Sequence, residues 1–225
     1  AIASYVAAAK ADPQHTGVHY SMGNLLHNKG DLLGAEAAYR RVLEIDPRHR
    51  SALYNLGSVL WSRGDLDQAA VMYQRMVDLN GQDVKALKSL ARLLQNLGDL
   101  EGAVLVYRQI LEVDPAHTGA YHGLGNVLKL HGDMEGAEEA YRTAVGLDPS
   151  HGSVQYNLAA VLWSKGDLQG AAATYRGVSQ SHPKFAAAQF SLENVLKILN
   201  SSTPRTVTTP AQQQQKTTAQ FSLVT

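Results

Sequence analysis

Residues able to do chemistry are plentiful in this chain, but their spacing does not bring them together. Nine histidines occur and no cysteine, so thiolate zinc sites, disulfides and cysteine nucleophiles are excluded at once. His15, His49, His117 and His151 each stand two residues after a Pro and are separated by 34 residues or a multiple of it. Side chains spaced in that way lie on successive turns of a structure, not around one point. A zinc site needs three or four ligands converging at about 2 Å, and His19, four residues after His15, does not complete one because His15 precedes the helix. Ser, His and Asp are all present, yet none stands on a strained nucleophile elbow. The glycines mark turns and helix contacts instead of forming a phosphate-binding loop. No metal, cofactor or catalytic group is expected.

The elements that carry these residues are set by a repeat. Gly-Asp recurs as Gly30-Asp31, Gly64-Asp65, Gly98-Asp99, Gly132-Asp133 and Gly166-Asp167, at intervals of 34 residues. Asp-Pro recurs in step at Asp12-Pro13, Asp46-Pro47, Asp114-Pro115 and Asp148-Pro149, with His182-Pro183 as a variant and Asn80-Gly81 filling the gap. Gly can take positive φ and end a first helix, while the following Asp can cap a second. Pro stops that second helix and suits the approach to the next. Between the marks, apolar residues fall at helical spacing, as in Met22, Leu25 and Leu26 or Ala35, Ala38, Tyr39 and Val42. Each unit therefore reads as two short antiparallel helices.

Composition agrees with a folded chain and narrows the partners. Hydrophobic residues make up 44% and charged residues 18% of 225, within the range of globular proteins. Lys plus Arg and Asp plus Glu are equal at 20 each, whereas a nucleic-acid binder carries a basic excess. Nucleic acid is not expected as a partner. No apolar run approaches the roughly 20 residues needed to span a bilayer and no signal-peptide pattern opens the chain, so direct membrane insertion is not expected and a cytoplasmic location is slightly favoured. Residue 1 is Ala, which points to an N-terminus further upstream.

Small residues hold fixed places: Gly23, Gly57, Ala91, Gly125 and Ala159 in the first helices, and Ala35, Ala69, Ala103, Ala137 and Ala171 opening the second. Tyr39, Tyr73, Tyr107, Tyr141 and Tyr175 follow in step and are expected to fill the space toward the next unit. This pattern of turn Gly, Ala, aromatic and closing Pro resembles the tetratricopeptide repeat family over about residues 1–199. The resemblance implies an all-α fold, a right-handed superhelical solenoid of antiparallel helix hairpins. In its register the full repeats are 16–49, 50–83, 84–117, 118–151 and 152–185. Residues 1–15 read as the second helix of a truncated preceding repeat, expected to be either a fragment's edge or a face covered by a partner. Residues 186–199 read as a C-terminal capping helix, with Glu193 where a following helix would need a small residue. Residues 200–225 form a low-complexity Ser/Thr/Gln/Pro tail, with Phe221, Leu223 and Val224 as anchors if a partner orders it.

A longer period overlies the first. At an offset of 102 residues, roughly 30 of 68 positions agree between repeats one–two and four–five, including Val59-Leu60-Trp61-Ser62 and Val161-Leu162-Trp163-Ser164. Two similar binding stations are expected.

By resemblance, the first helices line a concave groove with the fifth, sixth, ninth and twelfth positions of each repeat. The fifth are Tyr20, Tyr54, Lys88, His122, Tyr156 and Phe190; the sixth and ninth supply Asn24, Asn55, Arg92, Asn126, Asn157 and Asn194. The twelfth are His27, Trp61, Gln95, Lys129, Trp163 and Lys197. Asn carries donor and acceptor together and suits a peptide backbone, while aromatic rings give large contact area. The function implied is a non-catalytic interaction scaffold, holding a protein or extended peptide in the groove or docking as a subunit of a multi-subunit complex. One alternative is a chaperone adaptor that clamps a C-terminal carboxylate: Asn24, Asn55 and Lys85 match that clamp, but Tyr20 and Ser89 replace two of its cations. Another is the substrate-selecting region of a larger enzyme such as a glycosyltransferase.

Overall fold

The computed structural model describes residues 2–202, and these form helices joined by short turns. The N-terminal helix α1 (Ile2–Ala11) precedes five hairpins: α2 (Thr16–Asn28) with α3 (Leu32–Ile45), α4 (Arg50–Arg63) with α5 (Leu66–Leu79), α6 (Val84–Leu97) with α7 (Leu100–Val113), α8 (Thr118–His131) with α9 (Met134–Leu147), and α10 (Gly152–Ser164) with α11 (Leu168–Ser181). A last helix, α12 (Ala186–Ser202), packs on α11. Each helix touches its neighbours in sequence, and first helices also pack on one another, α6 on α8 and α8 on α10. The architecture is an all-α helical repeat solenoid. The expected anchors Phe221, Leu223 and Val224 lie outside the described residues.

The marks that set the period do so by backbone chemistry. Gly30, Gly64, Gly98, Gly132 and Gly166 all take positive φ, between 80° and 91°, where a side chain would be strained. Asp31, Asp99, Asp133 and Asp167 then accept the backbone N–H three residues on, at 2.8–2.9 Å, and so cap the second helices. Three of the first helices, α2, α4 and α8, are capped by a histidine side chain, whereas Asp83 caps α6. Nδ1 of His49 accepts from Ala52 N at 3.1 Å, that of His117 from Ala120 N at 3.0 Å and that of His15 from Val18 N at 3.3 Å. These imidazoles satisfy helix donors, which accounts for their recurrence.

Side chains at one further position tie each unit to the turn before it. Arg41, Arg75 and Gln109 donate to the carbonyls of Pro13, Pro47 and Gly81, 28 residues earlier. In the C-terminal units Gln155 and Gln189 reach Pro149 O and Pro183 O instead. Turn carbonyls thus find a donor from either neighbouring helix.

The core is made of two clusters rich in Leu, Val, Ala and Tyr, bridged by the partly buried Val77, Leu94 and Val106. Leu53, Leu56, Leu60 and Leu87 are all but inaccessible, each contributing about 1.5–3 kcal/mol by burial. At its centre a tyrosine ring lies on a glycine. A Cβ on Gly23 would sit 2.7 Å from Tyr39 Cε1, and Gly57 and Gly125 meet Tyr73 and Tyr141 in the same way. These rings lie on the first helix of their own unit, and the Tyr39 hydroxyl also accepts from Asn55 of the next unit. Tyr107 differs: its unit carries Ala91 in place of the glycine, and its ring leans on Gly123 of the following unit, 2.3 Å from an added Cβ. Replacing Gly123 by Ala should therefore lower stability despite a gain of ~1 kcal/mol in helix propensity, since overpacking a buried ring costs about 1–3 kcal/mol. Urea unfolding of Gly123→Ala beside the control Gly146→Ala, where an added Cβ meets nothing within 4 Å, measures that difference.

Candidate functional site

The residues expected to line the groove fall into three clusters and a remainder. The first is built where α2 and α4 meet. Tyr39 Oη donates to Asn24 Oδ1 at 2.7 Å, and Asn55 Nδ2 donates to the same oxygen at 3.0 Å and to Tyr20 Oη at 3.2 Å. The Tyr20 ring lies 5.9 Å from Tyr39 and 5.1 Å from the capping His49, centroid to centroid. Burial pushes the Tyr39 hydroxyl above its usual pKa, and its bond to Asn55 opposes the shift.

The same arrangement recurs 102 residues later with one exchange. Tyr141 Oη donates to Asn126 Oδ1 at 2.7 Å, and Asn157 Nδ2 donates to that oxygen and to His122 Nε2, each at 3.0 Å. His122 takes the place of Tyr20, with its ring 6.1 Å from Tyr141 and 5.4 Å from His151. Accepting from Asn157 requires an unprotonated Nε2. Burial lowers the His122 pKa, and nearby His151 and Lys129 act in the same direction.

Both networks use part of each asparagine internally. Asn24 Oδ1 and Asn55 Nδ2 are engaged, while Asn24 Nδ2 and Asn55 Oδ1 have no hydrogen-bond partner among the described residues. One donor group and one acceptor therefore remain per station.

The third cluster joins α4 to α6. A cleft of about 400 Å³ is lined by Tyr20, Tyr54, Asn55, Lys85, Arg50 and Asp83, with Lys85 Nζ 3.7 Å above the Tyr54 ring. Asp83 caps α6 through Lys85 N and Ala86 N and pairs with Arg50. An adjoining cleft of about 310 Å³ is lined by Tyr54, Ser58, Trp61, Ser89 and Arg92. Here Arg92 Cζ lies 5.4 Å from the Trp61 ring, a cation–π arrangement.

The remaining residues stand apart from these clusters. Trp163 is partly buried against the core beside Tyr156, whose Oη lies 3.4 Å from Ser191 Oγ. His27, Gln95 and Asn194 are half-buried, and Lys88 is exposed. Phe190 is 66% exposed on α12. Sequence reasoning missed Arg50, Asp83 and Ser58, and also that the tyrosines organise the asparagines. Sorting charges by helix type would have flagged Arg50.

Among the described residues no group of three or more His, Asp or Glu could hold a metal ion, and no helix is long and apolar enough to cross a membrane.

Fold and site together define a helical-repeat solenoid whose first helices present a row of polar and aromatic side chains. Tetratricopeptide repeat models match residues 1–48, 20–84 and 131–184, and a second such model matches 60–128. The chain belongs to the tetratricopeptide repeat family, whose members act as protein-interaction scaffolds. Among solved structures it is similar to the MamA protein, at 23% identity and a TM-score of 0.70 over 76% of this chain and 94% of that one. It also resembles YrrB, described as a tetratricopeptide protein with an unusual peptide-binding site, at 20% identity and a TM-score of 0.71 over 86% of this chain and 100% of the other. A tetratricopeptide protein from Parabacteroides merdae superposes with a TM-score of 0.75 at 18% identity, covering 82% and 73%. No curated protein matches the sequence.

The two stations differ in proton affinity. With the folded-state pKa of His122 below the unfolded value near 6.5, its stabilising bond is present above that value and lost as pH falls through the folded one. His122→Tyr copies the other station and should lose less stability between about pH 7.5 and about pH 5 than the parent. Equal losses in urea titrations would contradict the assignment.

Proposed function

We propose that the chain is a non-catalytic scaffold that holds an extended segment of a partner protein along its first helices. The observation that carries this reading is the pair of adjoining clefts between α4 and α6, lined by Tyr20, Tyr54, Trp61, Asn55, Lys85 and Arg92. Large rings beside unpaired cations suit recognition of a chain that supplies both apolar and polar groups. The free amide functions of Asn24 and Asn55 suit backbone N–H and C=O groups. The repeat at His122, Asn126 and Asn157 supports a second contact along the same segment, where two weak contacts reinforce each other.

A C-terminal carboxylate clamp is less well supported. Tyr20 Oη is engaged by Asn55, and Ser89 Oγ donates to Lys85 O at 3.0 Å, so neither offers a charge where such a clamp needs one.

Site-specific photocrosslinking tests the reading without perturbing the core. Benzoylphenylalanine at Lys88, Gln95 or Phe190 on the first-type helices should yield covalent partner adducts from native extract. The same group at Leu33, Leu105 or Arg176, exposed on the second helices, should not. Adducts confined to the second-helix positions would overturn the groove as the working surface.

A further inference from the structure

A neutral chain can still present a charged face, and this one does. The first helices α2, α4, α6, α8 and α10 carry Arg50, Arg63, Lys85, Lys88, Arg92 and Lys129 and not one Asp or Glu. The acids within the hairpin helices sit on the second helices α3, α5, α7 and α9, as in Glu36, Asp67, Glu112 and Glu138. The turn acid Asp83, which shares the cleft with Lys85, is paired with Arg50. Two of the six cations are neutralised, Arg63 by Glu36 and Asp65, and Arg50 by Asp83. Lys85, Lys88, Arg92 and Lys129 have no ion-pair partner among the described residues.

Three of those four share α6 at spacings of three and four residues, and all three are exposed. Residues so spaced follow one face of a helix. At about 1.5 Å per residue the row spans roughly 10 Å along the axis, the reach of three to four residues of extended chain at about 3.3 Å each. Lys85 and Arg92 lean over the Tyr54 and Trp61 rings of α4. Lys88 reaches the other way, its Nζ 3.9 Å from the position a Cβ on Gly119 would take in α8.

We propose that this row selects an acidic segment, in which two or three internal Asp or Glu side chains lie against Lys85, Lys88 and Arg92 of α6. The proposal rests on the groove reading above and adds the chemistry of the occupant. Internal carboxylates fit better than a terminal one, because the cations form a line along one helix and not a cluster. Acidic peptide fits better than nucleic acid, because the unpaired cations are few and confined, whereas nucleic-acid binders commonly neutralise about 6–10 phosphates. The chain's own residues 203–225 carry Arg205 and Lys216 and no acid, so they do not complement the row.

Fluorescence anisotropy at low salt tests this directly. The probe is an acetylated, amidated peptide of about ten residues with glutamates at alternate positions, compared with its Gln isostere. The acidic peptide should bind at least about tenfold more tightly than the isostere, as expected of charge-assisted hydrogen bonds, and weaken as salt is raised. Lys85→Gln, Lys88→Gln and Arg92→Gln together should abolish that preference, with circular dichroism confirming an unchanged helix content. Equal binding of the isostere, or an undiminished preference in the triple variant, would overturn the proposal. So would binding confined to a free-acid version of the peptide, or tighter binding of an oligothymidylate. If first-helix crosslinks persist while the acidic peptide fails, the acidic-segment proposal alone falls; failure of both removes the groove reading as well.

Discussion

The contact on which the solenoid depends is a tyrosine ring laid on a helix with no side chain beneath it. Tyr39 over Gly23, Tyr73 over Gly57 and Tyr141 over Gly125 bring the two helices of a hairpin close enough to exclude water. That approach carries the phenol through the hairpin to its far side. In two of the units the hydroxyl emerges beside an asparagine of its own first helix and one from the next. One ring thus closes the hairpin, and its hydroxyl joins successive first helices. Burial raises the hydroxyl pKa in each case, keeping these groups neutral throughout the ordinary pH range.

A division of labour follows. The asparagines contribute half their hydrogen-bonding capacity to inter-unit joints and retain the other half. Cations on α6 have no ion pair of their own among the described residues, and Asp83, the carboxylate that shares the cleft with Lys85, is paired with Arg50. Ion pairs form instead between other residues, as in Lys165 with Glu138 and Arg50 with Asp83. The α6 charges are thereby separated from stability, since exposed charges contribute little to folding.

Much of this was legible in the sequence. Gly-Asp and Asp-Pro at a single period fix the helix boundaries, because backbone conformation and capping are local effects visible within a few residues. The lining positions were legible only through the family register. What the pattern concealed were pairings across 15 to 35 residues: that Asn24 and Asn126 serve tyrosines, and that Tyr107 leans on Gly123 once Ala91 displaces it. Recurring histidines illustrate the same limit. Their type suggested ligation, yet His15, His49 and His117 are helix caps whose Nδ1 satisfies a backbone donor.

The central claim is that Asn24, Asn55, Asn126 and Asn157 act first as structural joints. A double-mutant cycle on urea stability with Tyr141→Phe and Asn126→Ala addresses it most directly, because the two groups share one hydrogen bond of 2.7 Å. A buried network predicts a coupling of about 0.5–1.5 kcal/mol. Additivity within about 0.3 kcal/mol would contradict it and leave those asparagines wholly available to a ligand.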